Sequence, residues 1–379
     1  MIYLDNAATT FPKPKCVYDE TIACMKKYCG NPGRASHKLS LRSAEKIFET
    51  RALLAEFFNA EAENVIFTYN TTYALNIAIK ANIKENTHIL ISDIEHNSVL
   101  RPVYELTQSK GCSYDIFSTD GDDDEIISCI SSLLKNNTTT LICTHSSNVG
   151  AKILPIAKIG RLCKEKGIFF IVDGAQSAGI YNIDIKNMNI SALCIPSHKG
   201  LYGPQGCGAI IYGDEYIGAT VFEGGTGINS LEPTMPDFLP ERYEPGTLST
   251  PAIVGLSEGL KWLKSANIDC IRAHEEGLYS LLCDLLSTNE KIVTYKMAEK
   301  GGNVLLFNIL DKPSAFVSNE LDKRDICVRS GFHCSPLAHK KLKTGDSGAV
   351  RVGFGVFNTQ KDVYTLFDAL NDIISSKKI

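Results

Sequence analysis

The chain has 379 residues, of which 44% are hydrophobic and 22% charged, and its formal net charge is -4. This length can bury a large core in two domains, and the composition is that of an ordinary globular protein. The slightly acidic balance gives no indication of a nucleic acid or an anionic membrane as a partner.

The cysteines and the apolar runs further limit the class of protein to which the chain can belong. No apolar run approaches the roughly 20 residues that a membrane-spanning helix needs, and the first residues lack the basic and apolar regions of a signal peptide. The thirteen cysteines are odd in number, and no two have C-x-x-C spacing. This argues against a disulfide framework and a structural zinc site. We therefore expect a cytoplasmic protein with no membrane contact and no metal.

Short apolar runs alternate with helical segments through the first 250 residues. Two helices are predicted first, one after Pro14 that ends at Gly30 and one over residues 40–58. Strands are then predicted at 65–68, 88–91, 140–143, 168–172, 192–195 and 208–211, with helical segments such as 75–81, 125–134 and 156–166 between them. This alternation predicts an α/β fold with a mostly parallel sheet covered by helices.

A smaller unit follows the first 250 residues. A helix is predicted over 253–265, then strands at 303–309, 326–329 and 348–353, and a terminal helix over 361–376. This order is typical of a small α+β domain. We predict a large domain over 15–255 and a small domain that combines 1–14 with 256–379.

Asp173 and Lys199 follow two successive predicted strands. Alone, a lysine is usually a solvated surface charge and an aspartate after a strand is usually a turn residue. Open α/β sheets, however, bind ligands at the carboxyl ends of their strands. A lysine that forms a Schiff base and a carboxylate that keeps a pyridine nitrogen protonated are what pyridoxal phosphate (PLP) needs. The pair therefore predicts a PLP site.

Two further strand ends carry polar groups. Thr71 and Thr72 follow the strand at 65–68 and begin a helix, where backbone N–H groups and hydroxyls can bind phosphate. A simple helix cap is the alternative. His96 follows the strand at 88–91, and there too a capping role is the alternative.

These residues, together with the opening sequence Tyr-Leu-Asp-Asn-Ala-Ala-Thr-Thr at positions 3–10, resemble the class V aminotransferase-like PLP enzymes over nearly the whole chain. The resemblance is strongest to the cysteine desulfurase and selenocysteine lyase branch. It implies the PLP-dependent transferase fold (fold type I), with a seven-stranded type of sheet in the large domain.

The resemblance implies a role for each polar residue of the cofactor pocket. It implies that His96 stacks on the ring and transfers protons, and that Asn148 and Gln176 approach the ring oxygen. The implied phosphate ligands are Thr71, Thr72, His198 and, from the second subunit of a homodimer, Thr247. The family usually has Ser or Thr three residues before the lysine, where this chain has Pro196; we expect Ser197 to supply the hydroxyl instead.

Cys334 lies in a loop rich in Gly and Pro, beside His333 and near Arg329. One cysteine among thirteen is normally a small buried hydrophobe, but nearby positive charge favours the reactive thiolate. The motif R-x-G-x-x-C over 329–334 resembles the catalytic loop of the group II cysteine desulfurases, with Phe332 in place of a histidine. The resemblance implies that Cys334 is the nucleophile.

Arg351 is flanked by valines in a predicted strand. Its guanidinium can hold a carboxylate through two hydrogen bonds; a surface salt bridge is the alternative. The resemblance also implies substrate contacts by Asn148, Arg329, Arg34 and His37.

The resemblance implies that sulfur leaves L-cysteine as a persulfide on Cys334 and that L-alanine is formed. Three alternatives stay open: a selenocysteine lyase or related C–S lyase acting on L-selenocysteine, a plain aminotransferase, and a non-catalytic binding protein. The sulfur acceptor is expected to be a protein. Lys340, Lys341 and Lys343 follow the loop and could meet an acidic acceptor, but a solvated helix face is the favoured explanation.

Overall fold

A seven-stranded sheet forms the centre of the larger unit in the computed structural model, which describes residues 1–33, 37–214, 216–297 and 302–376. Its strands are β2 (Val65–Thr68), β3 (His88–Ser92), β4 (Ser113–Phe117), β5 (Thr138–Thr144), β6 (Phe169–Asp173), β7 (Ala192–Pro196) and β8 (Gly208–Tyr212). The spatial order is β2-β8-β7-β6-β5-β3-β4, and β8 alone runs against its neighbours in the described part of the sheet. The predicted mostly parallel α/β fold is therefore confirmed.

Helices cover both faces of this sheet. They are α1 (Lys15–Lys27), α2 (Lys38–Phe58), α3 (Thr71–Asn82), α4 (Asn97–Ser109), α5 (Asp123–Leu133), α6 (Ile156–Lys166) and α7 (Thr250–Ala266). Polar side chains fix where several of them begin: the Asn70 carbonyl oxygen Oδ1 accepts from the Tyr73 N–H at 3.1 Å, and Asp122 forms a capping box with Glu125. Such caps satisfy N–H groups that the helix itself leaves unpaired. They set α3 and α5 at fixed positions relative to the strand ends.

The smaller unit has a four-stranded antiparallel sheet among the described residues, in the order β12-β13-β10-β9. Its elements are α8 (Ile268–Ser287), β9 (Ile292–Tyr295), β10 (Val304–Ile309), α9 (Ser314–Asp322), β11 (Ile326–Cys327), β12 (Arg329–Gly331), α10 (Pro336–Leu342), β13 (Ala349–Gly353) and α11 (Gln360–Ser375). The N-terminal strand β1 (Ile2–Tyr3) pairs with β11 in parallel, and Leu4 belongs to the apolar core of this unit.

Helix α7 runs through the predicted domain boundary at 255/256. Leu260 and Leu263, from beyond that boundary, are fully buried in the core of the larger unit. The structural break comes at Asn267, between α7 and α8. None of the helices in the described ranges combines the length and the apolar character required to span a bilayer.

Candidate active site

Most of the residues selected from the sequence line one cavity of about 490 Å³ at the carboxyl ends of the parallel strands. They are Thr71, Thr72, His96, Asn148, Asp173, Gln176, His198, Lys199, Arg329, Cys334 and Arg351. They come from both units of the chain, because the loop after β12 and the strand β13 close the cavity from the side of the smaller unit. The sequence separations involved exceed 250 residues, so the fold rather than local sequence brings them together.

Asp173 and Lys199 form the centre of the cavity. Asp173 is the last residue of β6 and is 3% exposed, and its Oδ1 accepts from the Ala175 N–H at 2.9 Å. Burial raises the pKa of Asp173, while the Ala175 hydrogen bond and Lys199 oppose that rise. Burial lowers the pKa of Lys199 to about 8. An amine with this pKa is partly unprotonated near neutral pH and can act as nucleophile or base.

Two residues that line the cavity each have a buried polar atom with no hydrogen-bond partner among the described residues. The two atoms are Oγ1 of Thr71, in the first turn of α3, and Nδ1 of His198. Beside them, the hydroxyls of Thr72 and Ser98 are 2.7 Å apart. Buried polar groups are normally paired, and a helix N-terminus favours an anion. The unpaired atoms therefore fit the phosphate of PLP, which this corner of the cavity can hold.

His96 both caps a helix and lines the cavity. Its Nδ1 accepts from the Ser98 N–H at 3.0 Å and so caps α4, while the ring lines the cavity. Burial, and then the charge of Lys199, lowers the pKa of His96 to about 4. The ring is therefore neutral at physiological pH, and because Nδ1 is an acceptor its proton is on Nε2.

Arg351 is 2% exposed on β13 and is held by a residue that the sequence analysis did not select. Its Nη2 donates to Asp5 Oδ1 at 2.8 Å and its Nη1 to the Asn148 carbonyl at 3.4 Å, while its Nε has no partner among the described residues. Asp5 lies 346 positions away in the chain, and nothing in the local sequence marks it as the partner. The guanidinium thus faces the cavity with donor capacity left over.

Cys334 lies at the mouth of the cavity, exposed, in the loop between β12 and α10. His333 and Cys334 are both left-handed, with φ of 50° and 57°. Two such residues in a row cost about 1–2 kcal/mol each. The loop is held by hydrogen bonds to its backbone: Asn97 N–H donates to the Cys334 carbonyl at 2.7 Å, and Asn148 Nδ2 donates to the His333 carbonyl at 2.8 Å. At about 1 kcal/mol each, these bonds offset much of the strain.

Both ends of the Asn148 amide are occupied in this structure. Besides the bond from Nδ2 to the loop, its Oδ1 accepts from the Ser335 hydroxyl at 2.7 Å. Gln176 is also engaged, since its Nε2 donates to the Ala7 carbonyl at 2.9 Å. Both residues lie on the cavity wall, but their amides bind the protein rather than pointing free into the cavity.

A buried pair of histidines supports the loop from below, and sequence spacing gave no signal for it. His333 Nδ1 is 3.0 Å from His339 Nε2, and His339 Nδ1 is 2.8 Å from the Thr344 hydroxyl. Burial lowers the pKa of His333 to about 2 and that of His339 to about 4. Because both rings are neutral, an N–H of one ring can donate to the unprotonated nitrogen of the other, and the two rings carry no like charges that would repel each other.

Three of the selected residues that the structure describes do not reach this cavity. Ser197 is buried, and its Oγ lies against Gly203, where a Cβ atom would be 2.0 Å away. It is absent from the cavity wall, so the structure does not bring it to the position expected in place of Pro196. His37 is exposed and caps α2 through Ser40, and Thr247 is exposed beside a second cavity of about 410 Å³. Arg34 lies outside the described residues.

Glu95 is a buried carboxyl group next to His96 that the sequence analysis left without a role. Its Oε1 accepts from the Thr144 N–H at 2.9 Å and from the Ser92 hydroxyl, while its Oε2 is unpaired in the described part of the chain. Burial raises the pKa of Glu95 to about 8, with a smaller contribution from Asp173. The folded protein therefore keeps this proton at neutral pH.

We expect Glu95→Gln to remove a pH-dependent loss of stability. The unfolded chain releases the Glu95 proton near pH ~4.3, whereas the folded protein holds it up to about pH 8. The free energy of unfolding that the buried Glu95 proton contributes is complete below the unfolded pKa of ~4.3. It is lost as the pH rises to the folded pKa of about 8. In urea unfolding of the cofactor-free protein, the two proteins should agree near pH ~4.5 and differ by several kcal/mol near pH ~8.5, with the variant more stable.

The matched control is Glu105→Gln, which changes an exposed carboxyl group on α4. It should leave the pH dependence of the wild type unaltered. A Glu95→Gln protein whose stability difference from wild type is the same at both pH values would contradict the burial of a protonated carboxyl group.

Comparison with known proteins agrees with this site. The model of the aminotransferase class-V family matches residues 2–366. The chain therefore belongs to the aminotransferase class-V family. A protein of Pyrococcus abyssi named "Probable cysteine desulfurase" is 32% identical, over 99% of this chain and 95% of that protein. A cysteine desulfurase of Salmonella agona is 29% identical, over 98% and 93% of the two chains.

Solved structures give the same match. The apo structure of a cysteine desulfurase from Thermococcus onnurineus NA1 superposes with a TM-score of 0.89 and 29% identity, covering 98% of this chain and 94% of that one. The cysteine desulfurase CsdA from Escherichia coli, at 23% identity, has a TM-score of 0.86 and supports the fold. Within its family, this chain is thus similar to cysteine desulfurases along its whole length.

Proposed function

We propose that this chain is a PLP-dependent cysteine desulfurase that removes sulfur from L-cysteine and releases L-alanine. The observation that carries the proposal is that an exposed cysteine, Cys334, and a lysine of lowered pKa, Lys199, line the same cavity. A plain aminotransferase needs the lysine but has no use for the thiol. The short loop between β12 and α10 supports the group II assignment.

The residues present fit PLP: apart from Asn148 and Gln176, whose amides bind the protein, each has an atom suited to one part of the cofactor. Thr71, Thr72 and His198 would hold the phosphate, and Lys199 would bind the cofactor covalently. Asp173 would pair with the ring nitrogen and His96 would lie against the ring, with Asn148 and Gln176 at its edge. When bound, PLP supplies an electron sink for the carbon atoms of the substrate.

The protein's own groups then divide the reaction between them. Arg351 binds the substrate carboxylate, with Arg329 adding positive charge on the same wall. Lys199 takes the proton from the substrate Cα. The Cys334 thiolate attacks the substrate sulfur, so a sulfur–sulfur bond forms while the Cβ–S bond breaks and its electron pair stays with the carbon. Protonation of that carbon and return of a proton from Lys199 to Cα give alanine, and the sulfur remains as a persulfide on Cys334.

L-Selenocysteine is the alternative substrate, because it presents the same carboxylate and the same Cα proton to Arg351 and Lys199. Selenocysteine lyase activity is therefore the second function that we propose to test. The thirteen cysteines are all free thiols. This supports a reducing compartment, and we propose the cytoplasm.

We further propose a homodimer in which Thr247 completes the phosphate site of the second subunit. Thr247 is exposed beside the second cavity, whose wall includes the exposed aromatic residues Tyr69, Tyr73 and Phe222. Exposed aromatic side chains grouped in this way are typical of protein interfaces. Tyr73 lines both cavities, so the aromatic group lies next to the phosphate end of the active site.

A sulfur-acceptor protein would meet the exposed Cys334. Of the three lysines proposed to attract it, Lys341 is already neutralised, because its Nζ is 2.7 Å from Asp93 and 2.9 Å from Asp120. This ion cluster fixes α10 to the larger unit. Lys340 and Lys343 are therefore the two that support an acidic acceptor.

Arg351→Lys should weaken substrate binding although the positive charge is kept. An ammonium group cannot bind Asp5 and both carboxylate oxygens with the geometry of a guanidinium. We expect KM for L-cysteine to rise by about tenfold or more, with a smaller change in kcat. Arg324→Lys, at a surface pair with Glu320, is the matched control and should have no effect. An unchanged KM in Arg351→Lys would place the carboxylate elsewhere.

The function is tested by incubating the PLP-loaded protein with L-cysteine and, separately, with L-selenocysteine. With a thiol reductant present to release the persulfide sulfur, we expect alanine and sulfide in equal amounts from L-cysteine with no added keto acid. The ratio of kcat/KM for the two substrates decides between desulfurase and lyase. Alanine that appears only when a keto acid is consumed would identify an aminotransferase and overturn the proposal.

A further inference from the structure

The backbone carbonyl of His198, which directly precedes Lys199, is surrounded by donors from the N-terminal segment. It accepts from the Thr10 N–H, the Thr9 hydroxyl, the Thr10 hydroxyl and the Lys13 ammonium group, each at 3.1 Å. A carbonyl oxygen has two lone pairs, so this one is contacted by more donors than it can fully bind. Such a concentration is unusual for a single peptide group.

The segment also reaches the peptide on the other side. The Thr10 hydroxyl lies 3.1 Å from the Lys199 carbonyl, and Lys13 Nζ donates to the Thr10 hydroxyl and the Thr10 carbonyl, both at 3.1 Å. Lys13, Thr10 and the His198–Lys199 peptide therefore form one continuous hydrogen-bonded group. It joins the start of the chain to the turn after β7, across some 185 positions.

Lys13 is a half-buried cation that has no carboxylate partner within the described residues. Its hydrogen bonds go to two carbonyls and one hydroxyl, and burial lowers its pKa to about 8. Burying a cation without a counter-charge is costly. A charge-assisted bond to a carbonyl, on the other hand, is roughly twice as strong as a neutral one. The Lys13 charge is therefore costly to bury, but its hydrogen bond to the His198 carbonyl holds the peptide before Lys199 in place.

We propose that Lys13, acting through Thr10 and the His198 carbonyl, is a positioning residue for the Lys199 turn. The inference rests on the proposed function, in which Lys199 binds PLP covalently. The side chain of Lys199 has no hydrogen bond of its own to any described residue, so its direction is set by its backbone. Fixing the peptides on both sides of its Cα aims the amine at the cavity, and a mobile turn would attach the cofactor slowly.

The test measures how fast PLP attaches to the cofactor-free protein. Samples are reduced with borohydride at successive times, and the PLP adduct on the peptide that contains Lys199 is quantified. We expect Lys13→Met to slow attachment by about tenfold or more and to lower kcat while leaving KM for L-cysteine unchanged. Thr10→Val should also slow attachment, and Thr10→Ser, which keeps the hydroxyl, should restore it. Lys15→Met, at an exposed lysine two residues on, is the matched control.

All variants are compared at a temperature where circular dichroism shows them fully folded. If Lys13 and Thr10 only stabilise the fold, the attachment rates should then be equal. Lys13→Met at the wild-type rate, or equal rates for Thr10→Val and Thr10→Ser, would overturn the inference; the Thr10 pair decides alone if Lys13→Met does not fold. Wild-type protein that attaches no PLP at Lys199 would overturn the proposed function and this inference with it. Normal attachment in every variant would overturn this inference only.

Discussion

Lys199→Ala should abolish turnover and covalent cofactor binding together. Without the amine, PLP has no covalent partner at the end of β7, and no group of suitable pKa remains beside Asp173 to move the substrate proton. We expect cysteine turnover to fall by about 10³-fold or more. Borohydride treatment of the PLP-incubated variant should fix no cofactor to the protein at this position, as measured by peptide mass spectrometry.

Lys186→Ala is the control for that variant, because Lys186 forms an exposed pair with Glu61 away from the cavity. It should behave as wild type in both measurements. A folded Lys199→Ala protein that still yields a borohydride-fixed adduct would show that another lysine is the site and that the strand-end assignment is wrong.

Cys334→Ala should separate cofactor binding from sulfur removal. The variant should bind PLP and L-cysteine normally, because the predicted cofactor contacts do not involve the thiol. Cysteine desulfuration should fall by about 10³-fold, since nothing remains to attack the sulfur. Turnover of L-selenocysteine should survive in part, because the C–Se bond breaks more readily without a protein nucleophile. Sulfide, selenide and alanine are measured for both substrates.

Cys327→Ala is the matched control, seven positions earlier in the chain on β11. Burial raises the pKa of Cys327, which makes it a poor nucleophile at neutral pH. This variant should keep wild-type rates with both substrates. Undiminished desulfuration of L-cysteine by Cys334→Ala would remove the basis for the desulfurase assignment and leave a PLP enzyme of unknown substrate.

The parts of the fold that the sequence predicted are those with continuous apolar runs. The central strands β3, β6 and β7 are buried on both faces, so their sequences are mostly apolar, and β5 has a buried apolar run at 141–143 between threonines. The edge strand β4 was missed because it is half exposed and its pattern is interrupted. No bounds were predicted for helix α4, which contains Pro102, a residue that normally breaks a helix.

The residues of the site can also be divided into those that the sequence could indicate and those that it could not. Residues at strand ends and helix starts, such as Asp173, Lys199 and Thr71, could be selected because the sheet geometry fixes where they lie. Partners that meet only through tertiary packing could not. The contacts of Asp5 with Arg351 and of His339 with His333 follow no local sequence pattern. Ser197 was expected in the cavity, but its hydroxyl lies against Gly203.

The most direct test of the account is to expose the PLP-loaded wild type briefly to L-cysteine and to analyse its cysteine-containing peptides by mass spectrometry. We predict one added sulfur atom on the peptide that contains Cys334, removed by a reducing agent and missing from Cys334→Ala. One equivalent of alanine should appear with it. Added sulfur on Cys327 or another cysteine, with none on Cys334, would contradict the account.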